Sequence, residues 1–190
     1  MQDGSAPIES APDMKTLYLL RHAKSAWDNP GLQDHDRPLA PRGVKACALM
    51  GQHLGNRGVR PDIVICSTAT RAQMTLQRVR PYIRPLPKVI DDRRAYMADP
   101  EDMLHLLAEL DESMPDSQSA MIVGHNPGMY MLANTLSRNG DPAELGRLRH
   151  KYPTCAFAEI TSEANDWSSF RRARCTLQHY RTPRHLIYLS

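Results

Sequence analysis

Four short apolar runs, Thr16–Leu20, Asp62–Cys66, Lys88–Ile90 and Ala120–Gly124, are each followed by a stretch whose apolar residues recur at helical spacing. Runs this short, without strict polar alternation, read as strands buried on both faces. Strands alternating with helices dictate a mostly parallel central sheet with helices on both faces, a three-layer αβα arrangement in the α/β class. Two later runs, Cys155–Ile160 and Phe170–Leu177, flank the turn-like Glu163-Ala164-Asn165-Asp166 and read as a hairpin. One edge of the sheet is therefore expected to be antiparallel.

Helix boundaries follow from local chemistry. Pro41 and Gly55/Gly58 bracket a helix whose inner stripe is Val44, Cys47, Ala48, Gly51 and Leu54. Ser67 or Thr68 is expected to cap a helix facing inward through Ala72, Thr75, Leu76, Val79 and Ile83, with Pro85 and Pro87 stopping it. Asp99-Pro100 opens a helix carrying Met103, Leu106, Leu107 and Leu110. Asn126-Pro127 is expected to open another, with Met129, Leu132, Ala133 and Leu136 inside and Asn139-Gly140 at its end.

A chain of 190 residues, 41% of them hydrophobic, can bury one core, so residues 14–190 are read as a single domain. Residues 1–13 contain no apolar core region, form no signal peptide and are expected to be a flexible tail. The longest uncharged stretch, Ser117 to Ser137 with His125 neutral, is interrupted by His125, Asn126, Pro127 and Asn134, so it is no membrane span. Cys47, Cys66, Cys155 and Cys175 form no metal-binding spacing and are expected as buried free thiols. Together these features point to a soluble, cytoplasmic protein. The net charge of +3 does not call for nucleic acid.

The chemistry gathers at strand ends. The first run ends in Arg21-His22. The second ends at Ser67, ahead of a helix whose first turn holds Arg71, and the fourth ends at His125. If these strands are parallel, Arg21, His22, Arg71 and His125 share one edge of the sheet, where open α/β sheets bind ligands. Nearby helix starts add free N–H groups. Such a pocket suits a phosphoryl dianion, with imidazole attacking phosphorus in line and guanidiniums holding the equatorial oxygens.

Arg21-His22-Ala23, Ser67-Thr68-Ala69-Thr70-Arg71-Ala72-Gln73-Met74-Thr75 and Gly124-His125-Asn126-Pro127-Gly128 resemble the Arg-His-Gly, Ser-x-x-x-Arg-Ala-x-x-Thr and second-histidine elements of the histidine phosphatase (phosphoglycerate-mutase-like) superfamily. With Asp36-Arg37-Pro38-Leu39 and Arg42-Gly43, they look most like its SixA-type phosphohistidine phosphatase branch. The resemblance runs from about Lys15 to the mid-130s. It implies His22 as nucleophile; Arg21, Arg71 and His125 as phosphate ligands and transition-state stabilisers; and Arg37 as a further phosphate-facing arginine. An ion pair of Arg37 with Asp34 or Asp36 is the alternative for that last residue.

Two departures from the family pattern bear on mechanism. Ala23 replaces a glycine, which would compromise any need for positive φ. No Glu stands where larger relatives carry a general acid; the region reads Asp91-Asp92-Arg93-Arg94-Ala95-Tyr96, leaving Lys24, Asp91 and Asp92 as candidate donors. An alkoxide needs a proton as it leaves, whereas an imidazole leaving phosphohistidine can already carry one. The expected activity is therefore metal-independent, cofactor-free hydrolysis of protein phosphohistidine, by a shallow site bordered by Lys24, Ser25, Trp27 and the 28–37 loop. A phosphatase of small phosphoesters (sugar phosphates or nucleotides) and a non-catalytic phosphate-binding module are the alternatives. A metal hydrolase is disfavoured, because His22, His35, His53 and His125 lack ligand spacing.

Overall fold

The computed structural model describes residues 14–187. The segment read as an N-terminal tail lies outside them. The chain runs β1 (Lys15–Arg21), α1 (Pro41–Asn56), β2 (Ile63–Ser67), α2 (Thr70–Val79), β3 (Lys88–Asp92), α3 (Pro100–Ala108), α4 (Leu110–Ser113), β4 (Ser119–Gly124), α5 (Gly128–Leu136), β5 (Asn139–Gly140), α6 (Pro142–His150), β6 (Phe157–Ser162), β7 (Cys175–Arg181) and α7 (Pro183–Ile187). The strands form one sheet in the order β3-β2-β4-β1-β6-β7-β5.

Strand period explains the layers. Leu17 and Leu19 of β1, Ile63 and Ile65 of β2 and Ile122 of β4 point to one face, where they pack with Met103, Leu107, Leu132 and Leu148 from α3, α5 and α6. Tyr18, Leu20, Val64, Cys66, Met121 and Val123 point to the other, against Cys47, Met50, Leu54, Leu76 and Leu186 from α1, α2 and α7. Because both faces are covered, the central strands are apolar throughout. That is the property that made them legible.

β1, β2, β3 and β4 are mutually parallel. The antiparallel strand is β6, which lies inside the sheet between β1 and β7 rather than at its rim. β5 then pairs parallel to β7. The strands of the predicted hairpin are displaced: β6 and β7 cover Phe157–Ser162 and Cys175–Arg181, while Phe170 is a core residue delivered by a loop. Helices α6 and α7 had no counterpart in the sequence reading.

Several helix signals resolve differently from expectation. Asp99 does cap α3, in a capping box with Asp102. By contrast, α2 starts after Ala69 with no side-chain cap; Ser67 Oγ accepts from the Ala69 N–H at 3.3 Å, and Thr68 is bonded to His35 instead. The helix ends at Val79, where a short 3-10 turn containing Pro81 takes over, well before Pro85. Asn126 does not cap α5; its side-chain amide donates to the Tyr152 carbonyl. Asn139-Gly140 forms β5, three residues past the end of α5. Ala48 is exposed, and Met50 occupies the inner face in its place.

All four cysteines are buried free thiols. Among the described residues no helix is long and apolar enough to cross a membrane.

Close contact between α1 and the segment after β1 fixes the position of the site. The Ala40 N–H donates to the Lys24 carbonyl at 2.9 Å. A Cβ on Gly43 would stand 2.2 Å from that same carbonyl oxygen, so only glycine permits this approach.

Candidate active site

β2, β4 and β1 are adjacent and parallel, so their C-terminal tips share one edge of the sheet. Arg21-His22, Ser67 and His125 sit there, and Arg71 enters from the first turn of α2. Arg21, His22, Arg37, Arg71 and His125 all line one cavity of about 350 Å³. The rings of His22 and His125 lie with centroids 4.9 Å apart. The five residues expected to hold or attack the phosphoryl group are thus brought together, whereas two of the three candidate proton donors are not.

The main chain holds His22 in one tautomer. Its Nδ1 stands 2.7 Å from the Ala23 carbonyl oxygen. A carbonyl can only accept, so Nδ1 carries the proton and Nε2 keeps its lone pair. Ala23 is itself anchored: its N–H donates to Thr75 Oγ1 at 3.0 Å, and that hydroxyl donates to the Arg71 carbonyl at 2.6 Å. Among the described non-glycine residues positive φ occurs at Met97 and Cys155, not at Ala23. Alanine therefore meets the backbone geometry required here.

Burial drives the His22 pKa down to about 4, opposed by the Ala23 carbonyl and assisted by Arg71, Arg21 and Arg37. His125 falls to about 3, from burial first and then from His22 and Arg71. Both rings are neutral at pH 7. His125 Nε2 lies 2.8 Å from Ser67 Oγ, while its Nδ1 is buried without a partner among the described residues.

The arginines are held at their outer ends. Arg21 donates from Nη1 to the Tyr152 carbonyl at 2.8 Å. Arg37 donates from Nη2 to Ser25 Oγ at 2.9 Å and stacks on Trp27, its guanidinium 3.3 Å from the ring centre. Arg71 donates to the main-chain carbonyl of Asp34 and, at 2.8 Å, to its carboxylate. Each of the three keeps a buried Nε–H with no partner among the described residues. Buried donors left in this state are costly. Three guanidiniums line the one cavity, a concentration of positive charge that suits a multiply charged oxyanion.

Sequence reasoning missed how Asp34 and Tyr96 take part. Asp34 also meets Arg37 at 3.4 Å, so Arg37 both lines the cavity and forms the loop ion pair given as its alternative role. The Tyr96 hydroxyl donates to Asp34 at 2.7 Å, and its ring lies edge-on to His125 at 5.3 Å. Tyr96, with the arginines, holds the Asp34 carboxyl below its usual range. The Asp-x-x-Arg spacing of Asp34 and Arg37 was the available signal. The donors proposed from sequence separate: Lys24 lines the cavity, as do Ser25 and Trp27, whereas Asp91 accepts from Gln73 and Asp92 from Arg94, outside it.

Neutral buried histidines have a consequence for stability. His22, His125 and also His179, where burial again lowers the pKa to about 3, bind fewer protons folded than unfolded between about pH 6.5 and pH 3–4. Stability is thus greatest above pH 6.5 and falls as pH drops, by up to about 1.4 kcal/mol per unit for each such histidine. Urea midpoints at pH 7 and pH 5 check this, before most carboxylates titrate. Equal midpoints would contradict it.

Comparison with known proteins matches residues 17–94 to the histidine phosphatase superfamily, branch 1. An uncharacterized protein of Mycobacterium tuberculosis is 33% identical over 87% of this chain and 100% of its own length. Among solved structures, the SixA protein of Agrobacterium tumefaciens superposes with a TM-score of 0.72 and 30% identity, over 89% of this chain and 99% of that one. The SixA protein of Nakamurella multipartitia gives 0.75 and 28%, over 90% and 96%. The matched segment begins on the strand that delivers Arg21-His22, and the SixA likeness extends through the displaced C-terminal strands. On both grounds the chain belongs to the histidine phosphatase superfamily, in its SixA-type branch, and is a phosphatase.

Proposed function

We propose that the chain hydrolyses phosphohistidine in proteins through a phosphoryl intermediate on Nε2 of His22. The observation that carries this reading is the Nδ1 bond to Ala23, which frees the Nε2 lone pair in a cavity lined by three arginines. Nε2 attacks phosphorus, the bond from phosphorus to the leaving nitrogen breaks, and the leaving imidazole keeps its electron pair. The reacting form is the phosphoimidazolium, in which the other ring nitrogen carries a proton taken up from solvent, so the imidazole departs neutral. Water then attacks the phosphoryl group on His22, releasing inorganic phosphate and restoring Nε2. Arg21, Arg71 and Arg37 hold the equatorial oxygens, and His125 donates to them as charge accumulates.

The substrate class follows from proton supply. Asp34, the carboxylate lining the cavity, is kept ionised, and the Tyr96 hydroxyl is committed to it. Neither can protonate an alkoxide. A phosphorus–nitrogen bond needs no such donor. The solved relatives of SixA type carry the name phosphohistidine phosphatase, which agrees with this reading.

The test is phosphate release, with EDTA present, from a phosphohistidine-bearing protein and from an alkyl phosphate such as glycerol phosphate. We expect kcat/KM at least about 100-fold higher for the phosphohistidine, since general acid catalysis of the ester is missing. Efficient turnover of the ester alone would transfer the assignment to small phosphoesters, with Lys24 as the donor. Release from neither would leave a phosphate-binding module.

A further inference from the structure

A second groove opens beside the cavity. It is bounded by α1, the Pro153-Thr154 turn and the start of α7, and encloses about 600 Å³. Lys24 and Thr154 line both this groove and the catalytic cavity, so the two adjoin. Its floor is apolar, built from Ala46, Leu49, Pro153 and Pro183. Four exposed cations, Lys24, Arg42, Lys45 and Arg184, stand around it. None of the four makes an ion pair among the described residues, although Arg57, Arg94, Arg147 and Arg171 all meet carboxylates elsewhere on the molecule. No Asp or Glu lines the groove.

Unpaired like charges held around an apolar floor repel one another and gain from a ligand of opposite sign. A free phosphate or a small phosphate ester has no use for the floor. A polynucleotide would match the cations, but not a floor without an aromatic ring for its bases. A polypeptide with acidic and aliphatic side chains matches both. We propose that this groove seats an acidic, partly apolar segment of the phosphoprotein whose phosphohistidine enters the cavity; the inference rests on the substrate class proposed above. The segment lies along α1 with its phosphohistidine end at Lys24. Its carboxylates answer Arg42, Lys45 and Arg184, and its aliphatic side chains cover Leu49 and Pro183. Docking energy is thus supplied away from the reacting atoms, which suits a catalytic cavity of only about 350 Å³.

The test uses two synthetic peptides with the same phosphohistidine, flanked by Glu-Leu or by Lys-Leu repeats, and the free phosphohistidine amino acid. They are given to the wild-type chain and to the Arg42→Glu/Lys45→Glu variant. The wild type should favour the acidic peptide in kcat/KM by at least about tenfold, and less in high salt. The variant should lose or invert that preference while turning over free phosphohistidine at the wild-type rate. Wild-type turnover without preference, or a preference that survives in the variant, overturns the docking proposal and leaves the substrate class standing. Failure of all three phosphohistidine substrates removes the substrate class, and the docking proposal falls with it. Stronger inhibition of peptide turnover by polyuridylate than by polyglutamate of equal charge reassigns the groove to nucleic acid and likewise overturns the proposal.

Discussion

His22→Ala is expected to abolish phosphate release, by about 10⁴-fold or more, since the nucleophile has no replacement. The nearest imidazole, His125, has its Nε2 tied to Ser67 at 2.8 Å and is separated from His22 by 4.9 Å between ring centres. It cannot reach the in-line position with its arginine partners unchanged. The fold should survive: His22 contributes a neutral buried ring at the edge of the sheet, and the tie of Ala23 to Thr75 uses main chain that alanine retains. The variant should therefore still bind orthovanadate through Arg21, Arg37 and Arg71 while releasing nothing. Acid-labile phosphoprotein, trapped by rapid quench into alkali from the wild type, should be missing from the variant. Turnover within tenfold of wild type, in a variant with a normal melting curve, would falsify the nucleophile assignment.

How much of this was readable in the sequence depends on where each residue's effect is decided. β1, β2 and β4 were legible because strands covered on both faces are apolar at every position, and the polar residues that end them, Arg21-His22, Ser67 and His125, then stand out. The three tips meet because the strands are parallel, which follows from the helices between them. Caps were less legible. Asn126 and Thr68 had the right chemistry and position, but Tyr152 and His35 compete for them from distant parts of the chain. Helix α6 escaped because its inner stripe is little more than Leu145 and Leu148, set among Glu, Arg and His. β7 was placed too early because Phe170 is apolar for packing against Trp167, at 5.6 Å, rather than for a strand. Asp34 was visible as a partner of Arg37. Its hold on Arg71 and Tyr96 comes from the path of a loop, which no local pattern encodes.

Arg71→Ala is expected to weaken orthovanadate binding and to lower kcat/KM by about 10²- to 10³-fold, the usual cost of removing one well-placed donor to developing charge. Arg71 is only 3% exposed, so its charge acts through protein rather than through water. Its outer end is fixed by Asp34 while the side chain lines the cavity, so little rotamer freedom is lost on binding. A loss in kcat as well as in binding follows, because charge on the equatorial oxygens changes as phosphorus passes between the two nitrogens. Arg71→Lys should recover little: an ammonium replaces the charge but cannot both keep the Asp34 contact and present a second donor edge to the phosphoryl group. Arg71→Ala also leaves Asp34 with only Arg37 and Tyr96, so its carboxyl should titrate closer to the usual range and add an acidic limb to the pH profile of the variant. Wild-type kinetics in Arg71→Ala would remove Arg71 from the site. Lost binding with unchanged kcat would instead restrict it to ground-state recognition, and the stabilisation of the transition state would then rest on Arg21, Arg37 and His125.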